Sequence, residues 1–134
     1  MPTIRAKGAF DVKLSPQTSD EAEGNSLARM SIDKQYHGDL EGTGKGEMLS
    51  AGTSVKGSAA YVAIERVTGT LHGRKGSFVL HHLGIMTRGE PHLSVRIVPD
   101  SGTGELVGIA GQMDIIIADG KHSYDLEYYF PETP

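Results

Sequence analysis

The stretch AAYVAIERVTGTLHGRKGSFVLHHLGIM, residues 59–86, decides the fold. Apolar and polar residues alternate on both sides of a turn at Leu71 to Gly73, which is the period of half-buried β-strands. Pairing Leu71 with Arg74 sets the register of an antiparallel hairpin. The opposed pairs are then Val67 and Phe78, Glu65 and Leu80, Ala63 and His82, and Tyr61 and Gly84. The aromatic ring of Tyr61 therefore faces a glycine across the ladder.

The same alternation runs along most of the chain, beginning with a strand over residues 6–14. The polar segment SPQTSDEAEGNS, residues 15–26, predicts a long exposed loop that would be the only hinge or lid. A three-residue loop at 37–39 predicts a second hairpin. In that hairpin we expect Tyr36 opposite Leu40, Ile32 opposite Gly44 and Met30 opposite Gly46.

Two further segments complete the strand pattern. Leu93, Val95 and Ile97 continue the inward face of the central hairpin. Asp119-Gly120 predicts a two-residue turn near the C-terminus. That turn would place on one face Met113, Ile115 and Ile117 together with His122, Tyr124, Leu126 and Tyr128.

About eight consecutive strands with short turns indicate an antiparallel meander. Closure of such a sheet removes its unpaired edges, so we predict a single all-β domain over residues 1–134, an up-and-down closed β-barrel. A β-sandwich is the second choice. The interior of an eight-stranded barrel is either just filled by side chains or holds one small ligand.

The glycine-rich stretch GTGELVGIAG, residues 102–111, resembles a phosphate-binding loop only superficially. A dinucleotide fingerprint needs its third glycine where Val107 stands, and needs a following helix that the strand-like sequence does not predict. We therefore interpret it as a turn and a strand, with Ile97 opposite Leu106, Gly108 opposite Val95, and a bulge at Gly111.

Composition limits the partners. The chain has 134 residues, 13 basic and 17 acidic side chains and a formal charge of −4, which does not favour nucleic acid or an anionic membrane. There is no cysteine for a disulfide or a thiolate. The N-terminal sequence does not read as a signal peptide, and no run is long enough to span a membrane. We expect a soluble cytoplasmic protein.

Three stretches carry a resemblance to a known family. SGTGELVGIAG, GTLHGRKGSFVLHH and the terminal DGKHSYDLEYYF resemble an uncharacterised bacterial domain-of-unknown-function family with allene oxide cyclase-like, or dirigent-like, barrels. The resemblance covers nearly the whole chain. It implies a closed β-barrel of about eight strands that is often oligomeric, and it brings no assigned activity and no catalytic residue.

The polar residues predicted to point inward are the candidate site. They are Lys34, Glu65, His82, His122, Tyr36, Tyr61, Tyr124 and Tyr128. Glu65 and His82 are diagonal neighbours, roughly 7 Å apart at the backbone, so their side chains can meet. Such a pair serves proton transfer, or else the two groups simply satisfy each other inside the barrel. We expect Lys34 to extend toward a barrel mouth.

No metal or cofactor is predicted. His81 and His82 are adjacent and point to opposite sides of a strand, so they do not grip one ion together. On the outer face, Val62, Ile64, Val79 and Leu83 form an apolar set that needs cover, either from the loop at residues 15–26 or, as we favour, from a second subunit in a homodimer.

Three functions remain open on this evidence. The leading hypothesis is a barrel that binds an apolar or aromatic small molecule, with Tyr61, Glu65 and His82 lining its cavity. The second is a cofactor-free isomerase or hydrolase in which Glu65 and His82 transfer a proton. The third is a packed barrel that serves only assembly.

Overall fold

The computed structural model describes residues 2–131 and confirms the closed eight-stranded barrel. Each strand pairs antiparallel with its neighbour in sequence, and the last strand returns to the first. The strands are β1 (Ile4–Ala22), β2 (Asn25–Tyr36), β3 (Leu40–Gly52), β4 (Ala59–Leu71), β5 (Arg74–Thr87), β6 (Glu90–Ile97), β7 (Ala110–Ala118) and β8 (Lys121–Tyr129), with a 3₁₀ turn at Gly104–Leu106. The described residues contain no helix with the length and apolarity needed to cross a bilayer.

The central hairpin has the predicted register at every position. Tyr61 pairs with Gly84, Ala63 with His82 and Glu65 with Leu80. The C-terminal hairpin also follows the prediction, since Met113 pairs with Leu126, Ile115 with Tyr124 and Ile117 with His122. Strict alternation specifies these registers, because a slip of one residue would move every apolar side chain to the solvent.

The prediction of a loop at residues 15–26 is wrong. β1 runs through it to Ala22 and turns at Glu23 and Gly24, both of which have positive φ, directly into β2. The segment is exposed as expected, but its backbone pairs with β2, with one register shift between Pro16 and Thr18. Backbone hydrogen bonds do not need apolar side chains, so a polar segment can still form a strand. The polar composition of residues 15–26 indicated their exposure correctly but gave no sign of the strand.

The predicted pairing of β2 with β3 is wrong by two residues. Tyr36 lies opposite Gly42, Ile32 opposite Gly46 and Met30 opposite Met48. The connection does not close into a tight hairpin because it bonds to β1: the amide of His37 donates to the Ala9 carbonyl at 2.9 Å. A shift by an even number keeps every side chain on its predicted face.

The interpretation of residues 102–111 as turn, strand and bulge is wrong beyond the turn, because Leu106 lies in a 3₁₀ turn and does not pair with Ile97. Residues 98–109 form a loop around the 3₁₀ turn, and Gly108 (φ 87°) has no partner on β6. Gly111 lies in an unbroken ladder opposite Tyr128, without a bulge. Leu106 and Ile109, both buried, turn inward from this loop and close one end of the barrel. The free energy gained by burying these two side chains exceeds what extending β7 through this segment would contribute.

The barrel has one packed end and one open end. At the packed end the lumen is filled by buried apolar residues, among them Leu40, Leu71, Leu106, Ile109 and Leu126. At the other end, residues on the inward face are largely exposed: Leu14 (46%), Met86 (43%), Leu93 (46%) and Ile117 (67%). Half of the lumen is therefore core and half is open.

Two seams of the barrel wall stop short of the open end. The β1–β8 ladder ends at the pair Phe10 and His122, although β1 continues for twelve residues. Between β6 and β7, Arg96 and Gln112 form the one paired position among residues 2–131. The tip of the β7–β8 hairpin thus stands at the open end without a ladder on either side.

Candidate functional site

A buried polar cluster lies between the packed core and the open end, and Glu65 on β4 is its centre. Oε1 of Glu65 accepts hydrogen bonds from Nζ of Lys34 at 3.0 Å and from Nε2 of His82 at 3.0 Å. Oε2 accepts a hydrogen bond from the hydroxyl of Tyr36. Glu65 is fully buried, while Lys34 and His82 are 6% and 5% exposed. The cluster is therefore sealed from bulk water.

The register brings these four side chains together. Glu65 and His82 are the diagonal neighbours expected from the central hairpin, and the structure confirms that they touch. Lys34 and Tyr36 lie on β2 and reach Glu65 across the intervening strand β3. On β3, Gly44 has no side chain, which leaves room for the Glu65 carboxylate and the Tyr36 ring. A side chain at position 44 would fill that space.

The expectation that Lys34 extends to a barrel mouth is wrong. Its ammonium group is paired with Glu65 and lies 4.9 Å from the ring centroid of Phe10 and 5.7 Å from that of Tyr36. A buried carboxylate and two aromatic faces attract the ammonium group more strongly than the solvent at the mouth does.

Burial and hydrogen bonding act in opposite directions on Glu65. Burial raises the pKa of its carboxyl group, but the hydrogen bond from His82, the charge of Lys34 and the hydrogen bond from Tyr36 outweigh burial and hold the pKa below its ordinary value. Glu65 is therefore ionised at neutral pH. Burial, followed by the charge of Glu65, raises the pKa of Tyr36 well above its ordinary value, so Tyr36 stays a hydrogen-bond donor.

The open end of the lumen holds a cavity of about 590 Å³. Its lining is mostly apolar and comes from β3 to β7, with the side chains or backbone of Met48, Ser50, Tyr61, Met86, Leu93, Ile115 and Ile117 among its walls. Ser26 at the start of β2 completes the rim. The volume lies within the range of about 300–1,000 Å³ that is typical of small-molecule sites.

Tyr61 connects the cavity with the polar cluster. Its ring lies against Gly84, where a Cβ atom would overlap it, and its centroid is 6.3 Å from that of His82. Burial, and then the charge of Glu65, raises the pKa of the Tyr61 hydroxyl, which therefore keeps its proton. Of the residues predicted to bind a ligand, Tyr61 lines this cavity.

The other predicted ligand-binding residues lie elsewhere. Lys34 and Tyr36 belong to the buried cluster. The Tyr124 hydroxyl donates to the His37 carbonyl and accepts from the Leu40 amide, both at 2.9 Å, at the packed end. Tyr128 bonds to His72 at that end, and the half-buried His122 packs against Phe10. Three of these tyrosines thus satisfy their hydroxyl groups within the protein.

The cavity walls that sequence reasoning missed are apolar. The sequence did show that these side chains point inward, because their positions have the parity of the inward face. They are Met48, Leu93, Ile115 and Ile117. From sequence, an inward apolar residue is interpreted as part of the core. Its local pattern does not show whether it lies at the filled end of the lumen or at the open end.

The arrangement limits what each polar group can do. Glu65 accepts three hydrogen bonds and is wholly buried, so it does not line the cavity, contrary to expectation. His82 has one ring nitrogen, Nδ1, that forms no hydrogen bond within residues 2–131. Over the same residues, no group of three or more His, Asp or Glu side chains is arranged to hold a metal ion. Of the three residues expected to line the cavity, Tyr61 does, whereas His82, like Glu65, is not among its walls.

Comparison with known proteins agrees with the barrel. A solved structure of a protein of unknown function from Shewanella oneidensis MR-1 is 49% identical to the chain and superposes with a TM-score of 0.94. The match covers 98% of this chain and 100% of the other. No curated protein shows a significant match. Residues 6–128 match the family described as protein of unknown function, DUF3224, and the chain belongs to that family.

Proposed function

We propose that the protein binds a small apolar or aromatic molecule in the cavity at the open end of the barrel. The observation that carries the proposal is the exposure of inward-facing apolar side chains, Leu93 at 46% and Ile117 at 67%, in a cavity of ligand size. Leaving such surface in water costs about 25 cal/mol per Å². A ligand that covers these side chains recovers that free energy.

Binding is tested with the neutral fluorescent probe N-phenyl-1-naphthylamine. We expect saturable binding with one probe per chain, and a loss of about tenfold in affinity in Ile117→Asp, because a carboxylate would enter the apolar wall. Ile116→Asp is the matched control, since Ile116 is the next residue, is also exposed, and faces outward. Absence of saturable binding by the wild type, or equal losses in the two variants, would overturn the proposal.

A second candidate is a cofactor-free hydrolase or isomerase that uses the pair of Glu65 and His82, of which His82 packs against the cavity residue Tyr61. The contact of 3.0 Å between Glu65 and His82 favours it, because a carboxylate orients an imidazole and stabilises its protonated form. Hydrolysis of p-nitrophenyl butyrate is the assay. His82→Gln should abolish it while His81→Gln, on the opposite face of β5, should not. Equal rates in the two variants would exclude the hydrolase.

We also propose that the protein is cytoplasmic and that its barrel is related to allene oxide cyclase-like barrels. A cytoplasmic location fits a chain without cysteine, and cell fractionation checks it. The closed eight-stranded meander supports a relationship with allene oxide cyclase-like barrels.

A further inference from the structure

The outer face of β3 to β5 is apolar and open to solvent. It presents five large aliphatic side chains, each 43–56% exposed: Leu49, Val62, Ile64, Leu83 and Ile85. Leu49, Val62 and Leu83 lie side by side across the three strands. Of the set predicted from sequence, Val79 is half-buried and lies at the margin. We call the five exposed residues the aliphatic face.

Residues 15–26 do not cover the aliphatic face. They run along the β1–β2 hairpin, and the five side chains keep their exposure. The face exposes roughly 400–500 Å² of apolar surface, in the middle of the range of about 300–600 Å² that is ordinary for the largest patch on a monomer. Extent alone therefore does not identify a partner, but the charges that flank the face do.

Opposite charges flank the aliphatic face. Successive pairing partners across the sheet are Glu47 on β3, Ile64 on β4, His81 on β5 and Arg96 on β6. A carboxylate therefore stands on one side of Ile64, and an imidazole and a guanidinium group stand on the other. Oε1 of Glu47 accepts a hydrogen bond from Arg29, whereas Oε2 of Glu47 and the Arg96 side chain have no charged partner within residues 2–131. Glu47 and Arg96 are both exposed, so each can pair with a second molecule.

We infer that the aliphatic face is the interface of a homodimer whose twofold axis runs parallel to β4. Such an axis exchanges the two sides of the face, so that Glu47 of one protomer faces the partner's His81 and the partner's Arg96. The aliphatic residues then meet those of the second copy, and each side of the interface has an acid opposite a base. A twofold axis across the strands would instead put both Glu47 side chains on one side and both arginines on the other.

The dimensions of the face fit a contact with a second copy. A standard interface buries about 800 Å² per partner, of which somewhat more than half is apolar. The aliphatic face supplies the apolar part, and the polar rim comes from the flanking side chains of Arg29, Glu47, His81 and Arg96. In a twofold dimer the same face meets itself, which needs no second kind of surface.

Sedimentation equilibrium tests the dimer. At about 10 µM we expect a dimer mass for the wild type and a monomer mass for Ile64→Lys and Leu49→Lys, because each lysine would bury a charge in the apolar contact. Circular dichroism checks that the variants fold. Ile116→Lys is the matched control, since Ile116 is 48% exposed on the outer face of β7, and this variant should stay dimeric.

Charge reversal tests the direction of the axis. Glu47→Arg and Arg96→Glu should each weaken the dimer about tenfold, because each sets like charges opposite one another on both sides of the interface. The double variant Glu47→Arg with Arg96→Glu restores opposite charges, so its dissociation constant should return to within about threefold of the wild-type value. Sedimentation equilibrium over a series of protein concentrations gives these constants.

Two kinds of result would overturn the inference. One is a monomeric wild type, or a dimer mass for both Ile64→Lys and Leu49→Lys. The other is a double charge variant that dissociates as readily as the single variants, since Glu47 and the partner's Arg96 would then not face one another.

Discussion

The carboxylate of Glu65 lies over Gly44, on the neighbouring strand, so closely that a Cβ atom at position 44 would overlap Oε2. The ring of Tyr36 crowds the same space from the other side. Gly44 thus makes room for the buried carboxylate of Glu65.

Gly44→Ala should destabilise the protein by about 2–4 kcal/mol, because the added methyl group displaces a carboxylate that three partners hold in place. Urea unfolding measures the change. Gly52→Ala is the matched control: it lies on the same strand, and its added Cβ atom would find its nearest neighbour at 3.9 Å. Equal effects of the two substitutions would show that the carboxylate is not confined.

Lys34→Met should cost about 3–5 kcal/mol of unfolding free energy, because it leaves the buried carboxylate of Glu65 without its compensating charge. The double variant Lys34→Met with Glu65→Leu should lose less than the sum of the single losses, since both charges are then removed. A double-mutant cycle by urea unfolding checks this. Strict additivity would mean that the pair is not coupled.

The ionised Glu65 should make stability depend on pH in acid. Because its pKa is lowered in the folded state, its contribution is complete above the ordinary value near 4.5 and is lost as the pH falls through the lowered value. The difference in unfolding free energy between wild type and Glu65→Gln should therefore be largest at neutral pH and shrink as the pH falls below 4.5. A difference that stays constant with pH would contradict the assigned direction.

Tyr36 should resist ionisation at alkaline pH. Burial, then the charge of Glu65, raises its pKa in the folded state, so its contribution to stability is present below the ordinary value of 10.0 and is lost as the pH rises beyond it. At about pH 10.5, absorbance at 295 nm should increase on unfolding, and Tyr36→Phe should reduce that increase by one tyrosine. An unchanged increase would place an ionised Tyr36 in the folded barrel.

The tip of the β7–β8 hairpin should exchange its amide hydrogens early. β7 pairs with β6 at Arg96 and Gln112, whereas β4 and β5 pair over their whole lengths. Amides of residues 114–118 that point toward β6 should exchange about 100-fold faster than those of β4 at the same level. Mass spectrometry of hydrogen exchange measures this, and equal protection would show that other contacts hold the tip.

Much of the candidate site was accessible from sequence where two residues share one hairpin. The contact of Glu65 with His82 follows from a turn at residues 71–73 and a period of two, and both are local properties. Lys34 and Tyr36 reach the same carboxylate across β3, where the predicted register was displaced by two residues. Their faces were predictable, but their neighbours were not, because pairing partners depend on how the 37–39 connection bonds to β1.

By itself, the sequence determined a count of about eight strands, the inward face of most strands and the central and C-terminal registers, and it favoured closure of the sheet over a sandwich. These follow from side-chain parity and turn residues, which act over a few positions. Only the tertiary structure decided which end of the lumen is filled, that Leu106 and Ile109 close it, and that Glu65 is fully buried with Lys34, Tyr36 and His82 as its partners. Those features depend on burial shared among distant segments, and parity is the same for a side chain that packs in the core and for one that faces an empty cavity.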